Sequence, residues 1–156
     1  MTNKNKESLE RTILVVDDLL GRKDDPMFPE TYGNGRVQGY KFELEDAFDK
    51  AKKKYSAEKV LKRVRELKPV AILLDMNYGN CYSENQRFGY GLKIMSELSR
   101  KMPQIPVLIH SSPEGNSGKT LIERCIIKYG AKESIEKCPS TIKMKTFLDK
   151  YTGDSK

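Results

Sequence analysis

No apolar run in the chain approaches the roughly 18 residues that a membrane-spanning helix needs, which excludes a helical span. The first residues, MTNKNKESLERT, are polar and lack the apolar stretch of a secretory signal, so no leader is expected. Cysteine is scarce: Cys81, Cys125 and Cys138 are odd in number and follow no metal-ligand spacing. Neither a disulfide framework nor a zinc site is expected from them, and a reduced, cytoplasmic protein is the simplest reading. There is one histidine, His110, directly after an apolar run; it reads as a packed or half-exposed neighbour of that run rather than a general base. No internal repeat is visible.

What is present bounds the fold. The chain has 156 residues, 37% of them hydrophobic, with eight tyrosines and five phenylalanines. That fits one domain with a core large enough to fold without staples. Although 33% of residues are charged, the apolar content is too high for a disordered chain. The net charge of +7 is uneven. Residues 49–68 hold nine basic and three acidic side chains, a local +6 that leaves the remainder nearly neutral. Such a stripe reads first as a solvated helix face, and secondarily as a contact for an acidic partner or nucleic acid.

Three short, unbroken, β-branched runs stand out: ILVV (13–16), VAILL (70–74) and IPVLI (105–109). Each reads as a strand buried on both faces. Tyr40, Phe42 and Leu44 alternate with charged residues, as in a half-buried or edge strand. Ser56 can cap a helix whose apolar positions are Val60, Leu61, Val64 and Leu67, and Pro69 ends it. Leu92, Ile94, Met95 and Leu98 form a second helical face closed by Pro103. Leu121, Ile122, Cys125, Ile126 and Tyr129 form a third, with Gly130 at the left-handed C-terminal position. Residues 134–136 are a short strand candidate, and 140–151 a last helix. Residues 19–39 and 76–90 read as loops. GNSGKT (115–120) resembles a phosphate-binding loop, but Pro113 occupies the place of the glycine that motif requires.

Strands alternating with helices imply an open parallel sheet covered on both faces, with ligand chemistry at the C-terminal ends of the strands. The residues at those ends are Asp17 and Asp18, Asp75, His110 and Ser111, and Lys137. Carboxylates brought together repel by roughly 4 kcal/mol for a pair about 4 Å apart at an effective dielectric near 20. A lysine and an oxygen-seeking divalent ion would offset that. Mg²⁺, which takes one or two carboxylates plus water and phosphate oxygens, is the expected cofactor. An ammonium, a hydroxyl and a carboxylate beside such an ion suit phosphoryl transfer to the carboxylate.

The ordered set ILVVDD, AILLDMN, PQIPVLIHSS and YGAKESIEKCP, spanning residues 13–139, resembles the receiver domain of two-component response regulators. The resemblance implies a flavodoxin-like, doubly wound α/β fold with a five-stranded parallel sheet in order 2-1-3-4-5 and helices on both faces. It implies that Asp17 and Asp18 hold Mg²⁺, that Asp75 is the phosphoacceptor and also a metal ligand, and that the carbonyl of Asn77 completes the metal shell. Ser111 matches the switch hydroxyl, and Lys137 the lysine that pairs with the phosphoryl group. Pro139 stands one place later than in the family pattern. The partners implied are a histidine kinase or phosphotransfer protein and a downstream protein target, with no nucleic acid. Such a domain is a signalling switch, not an enzyme beyond its own phosphoryl transfer and autodephosphorylation.

Residues 1–11 are expected to be a polar tail and 12–152 a single domain, with enlarged loops near 19–39 and 78–90; no output domain fits in the remainder. Tyr78 and Gly79 replace the family's usual Met-Pro, and Ser134 stands at its aromatic switch position. These departures keep open a receiver-like interaction module that works without phosphorylation. A nucleic-acid-binding protein using residues 50–68 is the weaker alternative.

Overall fold

The computed structural model describes residues 11–16, 37, 39–45, 48–49, 51, 54–75, 84–110, 115–135 and 141–152. Five strands form one parallel sheet: β1 (Arg11–Val16), β2 (Tyr40–Glu45), β5 (Ala71–Leu74), β6 (Val107–His110) and β7 (Ser134–Ile135). Their order is β2-β1-β5-β6-β7, so the expected 2-1-3-4-5 arrangement is observed. The described helices are α1 (Ala57–Leu67), α2 (Glu84–Lys101), α3 (Gly115–Tyr129) and α4 (Thr141–Thr152).

Side chains alternate across a strand, so each apolar run feeds two cores. Leu14, Val16, Ile72, Leu74, Val107 and Ile109 meet α1, α2 and α3 on one face. Ile13, Val15, Ala71, Leu73 and Leu108 meet Met144, Phe147 and Leu148 of α4 on the other. This is why the central strands lack polar alternation: neither face sees water. On the edge strand β2, Phe42 and Leu44 lie against the α4-side core. Its intervening carboxylates, Glu43 and Glu45, instead lie 3.6–3.7 Å from Arg63 and Lys59 of α1. Two residues of the basic stripe are thereby paired within the fold, while Lys62, Arg65 and Lys68 are exposed.

Helix ends follow local chemistry. The Ser56 hydroxyl accepts from the Lys59 amide at 3.3 Å, as its capping position suggested. Lys68 adopts φ 49° and donates its amide to Val64, ending α1 before Pro69. Gly130 takes φ 78° after α3, the left-handed geometry expected of it.

Three elements differ from the sequence expectation. α2 begins at Glu84, so residues 84–90 are helix and the enlarged loop does not extend to 90. Glu, Gln and Arg favour that start, while Gly89 and Gly91 obscure the periodicity. α3 begins at Gly115, so GNSGKT is the helix's own first turns and not a phosphate-binding loop. A small antiparallel pair, β3 (Phe48–Asp49) and β4 (Lys54–Tyr55), was not expected, because two-residue strands carry no readable period. Among the described residues no helix is long and apolar enough to cross a membrane.

The last helix is also tied to the start of the sheet by polar groups. The Tyr40 hydroxyl donates to Asp149 Oδ1 at 2.5 Å and accepts from Arg11 Nη2 at 2.9 Å. Thr152 Oγ1 lies 2.9 Å from the same hydroxyl and accepts from Arg11 Nη1 at 2.8 Å. Tyr40 has one proton and two lone pairs. With the Tyr40 proton directed at Asp149, Thr152 must be the donor to Tyr40, and the tyrosine's capacity is then full. Lys145 Nζ donates to Asp149 Oδ2 at 2.6 Å. The Lys145 and then the Tyr40 hydrogen bond hold the Asp149 carboxyl below its ordinary 3.8.

Two expectations follow. A Cβ at Gly130 meets nothing within 4 Å, so Gly130→Ala incurs only the left-handed backbone penalty. It should cost about 1–2 kcal/mol, read as a lower urea midpoint with an unchanged slope. Because the folded Asp149 carboxyl titrates below its unfolded value, its stabilisation is present above the ordinary carboxylate pKa and is lost as pH falls through the folded one. Asp149→Asn should therefore flatten the fall in stability seen in urea unfolding as pH drops through and below the ordinary carboxylate pKa.

Candidate phosphoacceptor site

Strand order reverses at β1, whose neighbours are β2 and β5, so the switch point of the sheet lies between β1 and β5. The register aligns Val16 with Leu74, Leu74 with Ile109, and Ile109 with Ser134. With strands about 4.8 Å apart, this row spans roughly 14 Å. Asp75 is the first residue beyond it on β5, and its amide donates to the Val16 carbonyl at 2.9 Å. That bond fixes the backbone of Asp75 to the end of β1.

Asp75 is 1% exposed and is the only buried charged side chain among the described residues. Its burial follows from its position: Leu73 and Leu74 before it are fully buried, and β1 and β6 flank β5 on both sides. Moving an ionised carboxylate out of water costs several kcal/mol unless charges or donors around it compensate. A carboxylate retained at such a depth, at the switch point, is a functional candidate on physical grounds.

Of the residues expected to bind metal or phosphate, Asp75 is the one whose side chain is described. Asp17, Asp18, Asn77, Ser111 and Lys137 lie outside the described residues. Their chain neighbours are placed: Val16 precedes Asp17, His110 precedes Ser111, and Ile135 stands two before Lys137. Val16 pairs with Leu74, and His110 with Ile135, so the described ends of β1 and β5, and of β6 and β7, are neighbours in the sheet. His110 is itself the last residue of β6 rather than the first beyond it. Among the described residues no three His, Cys, Asp or Glu side chains are grouped to hold a metal ion. The Asp75 carboxylate is of the hard oxygen type that suits Mg²⁺.

The other buried nucleophile described is Cys125 of α3, fully buried in the core beneath the sheet. Burial pushes its thiol up to about 12, against a smaller opposing effect of Arg124. At neutral pH the group is therefore the unreactive thiol rather than the thiolate. Sequence inspection missed the Tyr40–Asp149 cluster, because residues 109 apart leave no local signal. Ser134, at the position an aromatic holds in the family pattern, is exposed on β7.

No family model matches the chain, and no curated protein matches it. Solved structures do. NtrX from Brucella abortus is 22% identical with a TM-score of 0.62, over 92% of this chain and 27% of that one. The chain thus spans about a quarter of the length of NtrX. The signal receiver domain of a putative Luxo repressor protein from Vibrio parahaemolyticus is 14% identical with a TM-score of 0.62, over 93% of this chain and 92% of its own. A response regulator receiver domain protein (CheY-like) from Methanospirillum hungatei JF-1 is 14% identical with a TM-score of 0.60, over 92% and 94%. These likenesses show the fold: the chain has the flavodoxin-like architecture of response regulator receiver domains.

Cys125 should resist alkylation in the native protein at mildly alkaline pH and react only after denaturation, as read by mass analysis of the peptide that contains it. Modification of native Cys125 at the rate of a denatured thiol would contradict its burial.

Proposed function

We propose that the chain is a phosphoacceptor signalling domain, in which Asp75 takes a phosphoryl group from a histidine kinase or phosphotransfer protein. The observation that carries this reading is the buried Asp75 carboxylate at the switch point, bonded through its amide to Val16. In the step, an Asp75 carboxylate oxygen attacks phosphorus as the phosphorus–nitrogen bond of a phosphohistidine breaks. The imidazole nitrogen leaves with the electron pair and Asp75 becomes an acyl phosphate.

Mg²⁺, held by Asp17, Asp18, Asp75 and the Asn77 carbonyl, would supply positive charge to the phosphoryl oxygens. Lys137 would pair with the same oxygens, and the Ser111 hydroxyl would donate to one of them once the phosphoryl group is in place. The buried setting of Asp75 favours the transfer by limiting the water that competes for the phosphoryl group. In this reading the chain is a switch rather than a metabolic enzyme.

The signal is read by protein binding near the last strand and helix. A groove of about 610 Å³ runs beside β7, with Ile135 and Phe147 as apolar lining and Ser134, Lys143, Thr146 and Lys150 among its polar residues. Among the described residues two large apolar side chains are exposed, Ile127 on α3 and Ile142 on α4, the helices that precede and follow β7. Exposed apolar groups on these two helices favour a protein partner.

Incubation of the full chain with Mg²⁺ and a small-molecule phosphodonor should add the mass of one phosphoryl group. The adduct should be cleaved by hydroxylamine and absent from Asp75→Ala. A chain that remains unmodified where another receiver domain is modified would instead favour the phosphorylation-independent interaction module.

A further inference from the structure

Four consecutive residues at the end of α4 hold both edges of the sheet. Asp149 and Thr152 grip Tyr40 and Arg11, at the starts of β2 and β1. Lys150 Nζ donates to Glu133 Oε2 at 3.1 Å, and the Tyr151 hydroxyl donates to the same oxygen. Glu133 directly precedes β7, and its carbonyl accepts from Ile109 at 2.9 Å. β2 and β7 are the two outer strands. Residues 149 and 152 lie three apart and share one side of the helix, while 150 and 151 project from another.

The last turn of a helix is where fraying starts, since its final carbonyls lack partners within the helix. Here the carbonyl of Thr152 accepts from Arg11 Nη1 at 3.3 Å, which supplies both a hydrogen bond and a positive charge at the negative end of the helix. The order of this turn therefore depends on side chains from both sheet edges.

We infer that the last turn of α4 is a strap that joins the two edges of the sheet and opens as a unit when the Tyr40 hydroxyl is lost, releasing the Lys150–Glu133 grip with it. Every hydrogen-bonding position of that hydroxyl is occupied, so Tyr40→Phe removes three contacts at once: the donor to Asp149 and the acceptor for Arg11 and for Thr152. The strap has a second consequence. Lys150 and Glu133 also line the groove beside β7. Opening the turn at the β2 edge therefore loosens the groove at the β7 edge, and an occupant that draws Lys150 away from Glu133 weakens the strap in return. The inference concerns coupling across the fold and stands whether or not Asp75 accepts phosphate.

Amide hydrogen exchange on the full chain tests it. In Tyr40→Phe, the amides of residues 149–152 should exchange roughly tenfold faster, with those of β5 and β6 unchanged. Glu133→Ala should accelerate the same amides, and by less when added to Tyr40→Phe than when made alone, because one opening serves both grips. Any result in which the last turn does not accelerate more than β5 and β6, or in which the two substitutions act independently, overturns the inference. Should Tyr40→Phe not fold, Thr152→Val removes the hydroxyl from the same cluster while leaving the Tyr40–Asp149 bond, and is read by the same criterion.

Discussion

A single backbone hydrogen bond, from the Asp75 amide to the Val16 carbonyl, joins the end of β5 to the end of β1 at the point where strand order reverses. The site depends on that register. Successive side chains on a strand point to opposite faces, so a slip of one residue between β1 and β5 would turn Leu14 and Val16 away from α1 and send Ile13 and Val15 toward it. The two cores prevent this, because each is built from alternate residues of the same runs. Packing on both faces thus fixes where the carboxylate of Asp75 begins. A site at a strand end inherits its precision from apolar side chains that take no part in its chemistry.

Much of this was legible because burial on both faces leaves a strong mark on composition. ILVV, AILL and VLI contain no polar residue that could face water, and the structure covers them with helices on each side. The position of Asp75 was legible for the same reason, as a carboxylate interrupting a run with no other polar group. Its depth was not, since one chain cannot report how far neighbouring strands extend past it. The starts of α2 and α3 were illegible because their first residues precede the apolar stripes that begin near Leu92 and Ile122. The strap was illegible for a different reason. Tyr40 fits the alternation of β2 as an apolar residue, and only the folded geometry shows that its hydroxyl meets Asp149 and Thr152.

The two rims of the sheet have opposite characters. At the C-terminal rim a carboxyl group is buried, which works against stability unless its surroundings compensate it. At the N-terminal rim, Arg11, Tyr40, Asp149 and Thr152 form a polar cluster that saturates the Tyr40 hydroxyl. Grouped, saturated hydrogen bonds of this kind stabilise more than isolated surface pairs do. This cluster sits at the strand starts and Asp75 just past a strand end, so the two share no residue.

The basic stripe shows why charge counted along a sequence differs from charge presented by a surface. Glu43 and Glu45 sit on the α1 side of β2 because Phe42 and Leu44 take the α4-side core. An edge strand with carboxylates on one face needs counter-charges there, and Lys59 and Arg63 are the nearest helix residues that supply them. At separations of 3.6–3.7 Å and with partly exposed side chains, each pair contributes at most about 1 kcal/mol, so their effect is more on orientation than on stability. Lysine and carboxylate charges along an edge also discourage pairing with a foreign strand. Part of the local positive excess is therefore consumed by the fold itself. That weakens the case for residues 50–68 as a nucleic-acid contact and strengthens the reading of α1 as a helix whose charges seat it against β2.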